Sequence, residues 1–371
     1  MALDLPEFPW DSLADATAVA RSHEGGIVDL SVGSPVDPTP ALIRTALAEA
    51  TDAHSYPQVA GTPALRAAIS EWYARRRGVT GLTDANVLPT IGSKELIAGM
   101  ALWLGLGPGD TIVYPTNAYP TYELGAALVG ATALASDDPT EWPASTRLVW
   151  LNSPGNPDGT VLSIEQLRLA VARARELGAV IAGDECYAEL GWEGEWADQP
   201  TPCILDPRVI GDSRHNVISV YSLSKQSNLA GYRAGFIAGC AEVVGQLLAV
   251  RKHAGLMPPA PVQQAMVVAL GDEAHVAAQK DLYRGRRQRL SAALEQAGYR
   301  IDGSEAGLYL WATRDEDAWA TVDRLARLGI LVAPGTFYGT AGGSHVRIAL
   351  TTTDERIDAA VARLEAVSVP A

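Results

Sequence analysis

Only four lysines occur among the 29 basic residues of this 371-residue chain: Lys94, Lys225, Lys252 and Lys280. Any chemistry that needs an amine therefore has four candidates. Lys225 stands apart from the others. It closes Ser222-Leu223-Ser224-Lys225 after the apolar run Val217–Tyr221, and Gly231-Tyr232-Arg233-Ala234-Gly235 follows. An amine at the end of a buried strand is partly desolvated, which favours its neutral, nucleophilic form. Two serine hydroxyls and a following arginine suit a doubly charged phosphate, and the flanking glycines let the backbone approach it closely. A lone lysine at a strand end is ordinarily a solvated surface charge. The joint SxSK and GYRxG spacing argues against that reading here.

Asp184-Glu185-Cys186-Tyr187 directly follows the buried run Val180–Ala182. A carboxylate there is costly without a cationic or hydrogen-bonding partner. The protonated ring nitrogen of a pyridoxal cofactor is one such partner, with Tyr187 donating to the phenolate oxygen of the same ring. A helix cap or loop acid is the bland alternative. Asn152-Ser153-Pro154-Gly155-Asn156-Pro157-Asp158-Gly159 reads as a turn, and its Asn156 amide could also face a ligand oxygen. Gly92-Ser93-Lys94-Glu95 opens a helix whose free backbone N–H groups make a phosphate site, a weak signal alone.

These residues need a scaffold, and the pattern around them supplies one. Helices are expected over Pro40–Ala50, Pro63–Arg77, Ser93–Leu104, Ile164–Leu177 and Val243–Lys252. Between them lie Thr111–Tyr114, Thr132–Ala135, Leu148–Leu151, Val180–Ala182, Val217–Tyr221 and Ala234–Gly239. Such short, continuous apolar runs flanked by Gly, Pro or Asp suit strands buried on both faces of a mainly parallel sheet, with ligands at their carboxyl ends. Beyond them come a long helix over His275–Ala297, strands Gly307–Ala312 and Val346–Leu350, and helices near Glu316–Leu328 and Asp354–Ala366. The expected organisation is an α/β domain over 43–282 and a smaller α+β domain over 283–371, joined by residues 1–42. No repeat or low-complexity linker interrupts it.

Net charge is −14 with scattered basic residues, which argues against nucleic-acid binding or a polybasic membrane anchor. No apolar run reaches the roughly 18 residues of a membrane span, and the start does not read as a signal peptide. Cys186, Cys203 and Cys240 lie far apart, with no metal-type spacing, and suit a reducing cytoplasm.

Asn156, the Asp184/Tyr187 pair, SxSK with Lys225, Arg233 and the late Arg347 match, in order and spacing, the fold-type-I pyridoxal-phosphate aminotransferases of class I/II. The resemblance covers essentially the whole chain. Ile27–Pro35, Ile91–Leu96, Ser222–Gly235, Arg251–Gln263 and Ser304–Thr313 are further similar to actinobacterial-type N-succinyldiaminopimelate aminotransferases. This implies a large domain with a mostly parallel seven-stranded sheet, a smaller α+β domain, pyridoxal 5'-phosphate and a homodimer with shared sites. Lys225 would bind the cofactor covalently and later carry the proton between substrate carbon and cofactor C4′. Asp184 would pair with the ring nitrogen, Asn156 and Tyr187 would hold the 3-oxygen, and Tyr119 would stack on the ring.

The phosphate would fall to Gly92, Ser93, Lys94, Ser222, Ser224 and Arg233, with Tyr56 reaching it across the dimer. Arg347 would bind the substrate α-carboxylate, flanked by Gly33 and Asn156, and Arg251 or Lys252 a distal carboxylate. One departure is Asp158, in Asn-Pro-Asp-Gly where the family has Asn-Pro-Thr-Gly. The implied reaction exchanges an amino group between an amino acid and a 2-oxo acid, N-succinyl-LL-2,6-diaminopimelate with 2-oxoglutarate and glutamate, in lysine biosynthesis. Alternatives are an aspartate, aromatic or LL-diaminopimelate aminotransferase, a β-lyase, or a non-enzymatic ligand sensor.

Overall fold

The short apolar runs pair into one seven-stranded sheet in a computed structural model that describes residues 8–367. From edge to edge its strands are Val87–Ile91, Ala234–Gly239, Val217–Ser222, Val180–Asp184, Thr146–Asn152, Thr111–Tyr114 and Thr132–Ala135. Ala234–Gly239 alone runs against its neighbours. Strand residues alternate between two buried cores: Val217 and Tyr221 join Trp72, Ile181 and Phe236, while Ile218 and Val220 join Leu88, Met100 and Trp150. Burial on both faces is why these runs read as continuously apolar.

Several elements were not expected, and two of them have a plain physical reason for having been hidden. Val87–Ile91 contains Pro89, which argues against a central strand, and it lies at the sheet edge where the missing N–H is tolerated. Ala260–Gly271 is a helix buried through Val262, Ala265, Met266, Ala269 and Leu270, and its near-uniform apolarity hides the usual helical period. Pro63–Arg77 forms as expected, capped by the Thr62 side chain on the Leu65 N–H and ended by Gly78 at φ 67°.

A four-stranded antiparallel sheet orders Ala333–Pro334, His345–Ala349, Tyr309–Thr313 and Arg300–Asp302. Val28–Asp29 pairs with Ile330–Leu331, drawing the N-terminal segment to this part of the molecule. Leu13, Val28 and Leu30 share its core with Leu308, Leu310, Val322, Ile348 and Ile357. The helix Ala274–Gln296 runs unbroken through the expected 282/283 junction. Its first turns bond Ser227 and Asn228 through His275 and Gln279, and its later turns bury Tyr283, Leu290 and Leu294 in that core.

Candidate active site

Carboxyl ends of the large sheet's strands meet at a cavity of about 490 Å³. Ile91 pairs with Ala234 and Ser222 with Gly235, which sets Gly92, Ser222 and Arg233 side by side. Gly92 has φ +69° and begins the helix Gly92–Trp103; a Cβ there would run into the Arg233 guanidinium. A Cβ on Gly235 would meet the Gly92 backbone at 3.0 Å. The Ser222 and Ser224 hydroxyls lie 2.8 Å apart, and Ser93 and Arg233 line the same wall. Free helix N–H groups, hydroxyls and a guanidinium around a glycine-cleared hollow make a cradle for a dianion.

Lys225 follows, its amine donating to the Gly33 carbonyl. Burial lowers its pKa, Arg347 and Arg233 add to the effect, and Tyr309 opposes it. The amine is thereby moved toward its nucleophilic form. Asp184 ends Val180–Asp184 and takes bonds from the Tyr122 hydroxyl at 2.9 Å and the Cys186 N–H at 3.2 Å. Its pKa is raised by burial despite those bonds. No described cation pairs with Asp184, so it is placed to hold one.

Arg347 is buried at the other wall. It donates to Asn156 Oδ1 at 2.9 Å and to the Ser31 carbonyl at 2.8 Å, while its Nε has no partner among the described residues. The Tyr309 and Tyr338 rings lie 3.9 and 4.7 Å from the guanidinium carbon. Asn156 is held by its own N–H on Asn152 Oδ1 at 2.8 Å. Tyr187 lies 3.3 Å, hydroxyl to hydroxyl, from Tyr309. Tyr119 and Lys94 line the outer cavity, with the Lys94 amine 5.6 Å from the Phe8 ring and 5.8 Å from that of Tyr119.

The aminotransferase class I and II family model matches residues 26–364. This chain belongs to that family. It is 54% identical to 4-dedimethylamino-4-oxo-anhydrotetracycline transaminase OxyQ of Streptomyces rimosus, over 97% of this chain and 99% of the relative. It is 53% identical to probable aminotransferase Rv1178 of Mycobacterium tuberculosis, over 98% of this chain and 86% of the relative. The solved probable N-succinyldiaminopimelate aminotransferase of Thermus thermophilus superposes with a TM-score of 0.85 at 29% identity, covering 97% and 100% of the two chains.

Class I and II aminotransferases use pyridoxal 5'-phosphate, and the residues present fit it. The glycine-cleared cradle suits its phosphate, the unpaired buried Asp184 its ring nitrogen, and the desolvated Lys225 its aldehyde carbon.

Of the sixteen positions expected from the sequence, twelve line this cavity, Gly92 borders it against Arg233, and three fall elsewhere. Tyr56 is 97% exposed and lines a separate hollow with Gln58 and Gln263. Arg251 requires a correction as a substrate ligand. Its helix turns it inward, where Glu95 takes the guanidinium at 2.8 Å and Trp103 packs against it. Lys252 is exposed and outside the cavity lining. Sequence reading missed Tyr122, Cys186, Trp10 and Tyr309. Only Tyr309 carried a usable signal, since the spacing of Tyr309 and Trp311 puts both on one strand face.

Proposed function

We propose that this aminotransferase exchanges the amino group between N-succinyl-LL-2,6-diaminopimelate and the 2-oxoglutarate/glutamate pair, in diaminopimelate and lysine biosynthesis. The observation that carries it is the pairing of Arg347, buried with a free Nε, and Lys94, exposed at the outer cavity without an ion-pair partner among the described residues. A ligand with carboxylates at both ends meets a cation at each. The likeness to the Thermus thermophilus protein supports the succinylated substrate.

Lys225 would hold the cofactor through its amine and would then move the proton at the substrate α-carbon. When bound, the pyridoxal ring supplies an electron sink. Asp184 would keep the ring nitrogen protonated. Tyr187 and Asn156 would hold the 3-oxygen, and Tyr119 would pack against the ring. Gly92, Ser93, Ser222, Ser224 and Arg233 would anchor the phosphate; Lys94, which the resemblance also gave to the phosphate, is proposed instead for the distal carboxylate. Arg347, with its planar donors, orients the α-carboxylate, flanked by Asn156 and the Gly33 backbone. We further propose a cytoplasmic homodimer in which Tyr56 reaches the neighbouring site. Buried, unbridged cysteines support the reducing compartment. Thr62 N–H and the Gln58 carbonyl both bond Gln263, so the Tyr56 segment and the helix Ala260–Gly271 form one surface.

A second reading has its own observation. Phe8, Trp10 and Tyr119 make the outer cavity aromatic, and the 54%-identical relative is named for an oxo-anhydrotetracycline. A half-reaction screen decides. The pyridoxal form is mixed with single amino donors, and its absorbance is followed as it converts to the pyridoxamine form. Conversion by the succinylated donor and by glutamate is expected. Conversion by aromatic donors with an inert succinylated donor would overturn the proposal, and pyruvate and ammonia from a cysteine conjugate would mark a β-lyase.

A further inference from the structure

Neither cofactor attachment nor carboxylate binding engages the Tyr309 hydroxyl. Tyr309 opens the strand Tyr309–Thr313, and Trp311 pairs with Arg347 across the antiparallel ladder. Residues two apart share a strand face, so Tyr309 lies diagonal to Arg347 and its ring packs 3.9 Å from the guanidinium carbon. Its hydroxyl lies 3.3 Å from that of Tyr187, both groups buried. A Cβ at Gly33 would strike this phenol, so the chain leaves room for it there. Ring and hydroxyl are fixed separately, one by Arg347 and the other by Tyr187.

Each phenol has a single proton to give. A Tyr187 that donates to Tyr309 has nothing left for a ligand. A Tyr309 that donates to Tyr187 leaves the Tyr187 proton free for the cavity, and the bond polarises Tyr187 into a stronger donor. We infer that Tyr309 is a positioning residue whose hydroxyl donates to Tyr187, aiming and strengthening the Tyr187 hydrogen bond to the cofactor's 3-oxygen. The inference rests on the Tyr187 role proposed above.

The groups facing Tyr309 are Arg347, Lys225, Tyr187, Cys186 and Tyr338. Burial alone would raise its pKa, but Arg347 and Lys225 outweigh burial and hold the phenol below its ordinary value. Burial and Tyr309 push Tyr187 the other way. Tyr309 is therefore the better donor of the pair at neutral pH, and the first to lose its proton in alkali.

Tyr309→Phe keeps the ring beside Arg347 and deletes only the hydroxyl. The readout is the absorbance of the holoenzyme's bound cofactor, titrated against pH without substrate. A 3-oxygen deprived of a donor retains more negative charge and holds the proton on the adjacent lysine nitrogen harder, so the midpoint rises. Tyr187→Phe should raise it by about one unit and Tyr309→Phe by roughly half a unit. The double variant should match Tyr187→Phe alone. As a second probe, 3-fluorotyrosine at position 309 preserves the packing but is the stronger acid, and should lower the midpoint. A Tyr309→Phe shift that persists in full in the double variant, or an unmoved midpoint in both position-309 proteins, overturns the relay while leaving the Tyr187 role standing. An unmoved midpoint in Tyr187→Phe removes that role and the relay with it.

Discussion

Asp184 shows what a single side chain contributes at this site. Its carboxylate is buried, fixed by Tyr122 and the Cys186 N–H, and lines the cavity, where a cationic ring nitrogen would relieve its desolvation. Asp184→Ala should keep the fold but cut the single-turnover proton-transfer step by at least ~10²-fold, because the contact strengthens as charge develops in the transition state. Rates near the parent value would contradict this. Lys225, Asp184 and Arg233, which share one cavity, stand out in the sequence because polar residues directly beside buried strands are expensive and therefore informative. Tyr122 does not, since an aromatic in an apolar stretch looks the same whether it fills a core or orients a neighbour. Arg251 failed for the converse reason: sequence places it near the end of a helix, and only packing reveals that Glu95 has claimed it.

Elements carry the next set of consequences. The phosphate cradle depends on the junction between the strand Val87–Ile91 and the helix Gly92–Trp103, where Gly92 has a positive φ and no room for a Cβ. Gly92→Ala adds backbone strain of about 1–2 kcal/mol and displaces Arg233. Cofactor affinity, measured by equilibrium dialysis, should fall roughly tenfold or more; unchanged retention would show that the phosphate lies elsewhere. The turn at Asp158 gives a pH test. Burial raises the Asp158 pKa although Thr160 bonds oppose it, so its charge costs stability above the ordinary carboxyl range and costs nothing below it. Asp158→Asn keeps the acceptor to Thr160, and should raise the melting temperature at neutral pH with a gain that shrinks on acidification. A gain that grows toward acid would reverse the sign. Most strands and helices here were readable from periodicity. Val87–Ile91 was masked by its proline, and Ala260–Gly271 by the absence of a polar face.

At the scale of the whole molecule, the proposed function pairs two copies of the chain. Tyr56 is fully presented to solvent by a segment tied to Gln263, and it contributes nothing to the cavity of its own chain. If it completes the neighbour's site, two inactive variants should rescue each other. Refolding Lys225→Ala together with Tyr56→Ala forms mixed dimers in which one site keeps its own Lys225 and receives an intact Tyr56. Activity well above that of either variant alone is expected, with a dimer by light scattering. A fully active monomer, or no gain on mixing, would remove the shared site. The sequence made the α/β and α+β halves visible through their different strand patterns. It could not show that Tyr56 stands clear of the cavity of its own chain, because that depends on how the segment before Thr62 packs.

Lys225, among four lysines, is proposed to form the bond to pyridoxal 5'-phosphate. Borohydride reduction of the holoenzyme makes that bond permanent, and peptide mapping then locates it. The cofactor-derived mass is expected on the Lys225 peptide, and Lys225→Ala should neither carry the label nor catalyse transamination. Label on Lys94, Lys252 or Lys280 would contradict the assignment of the whole site.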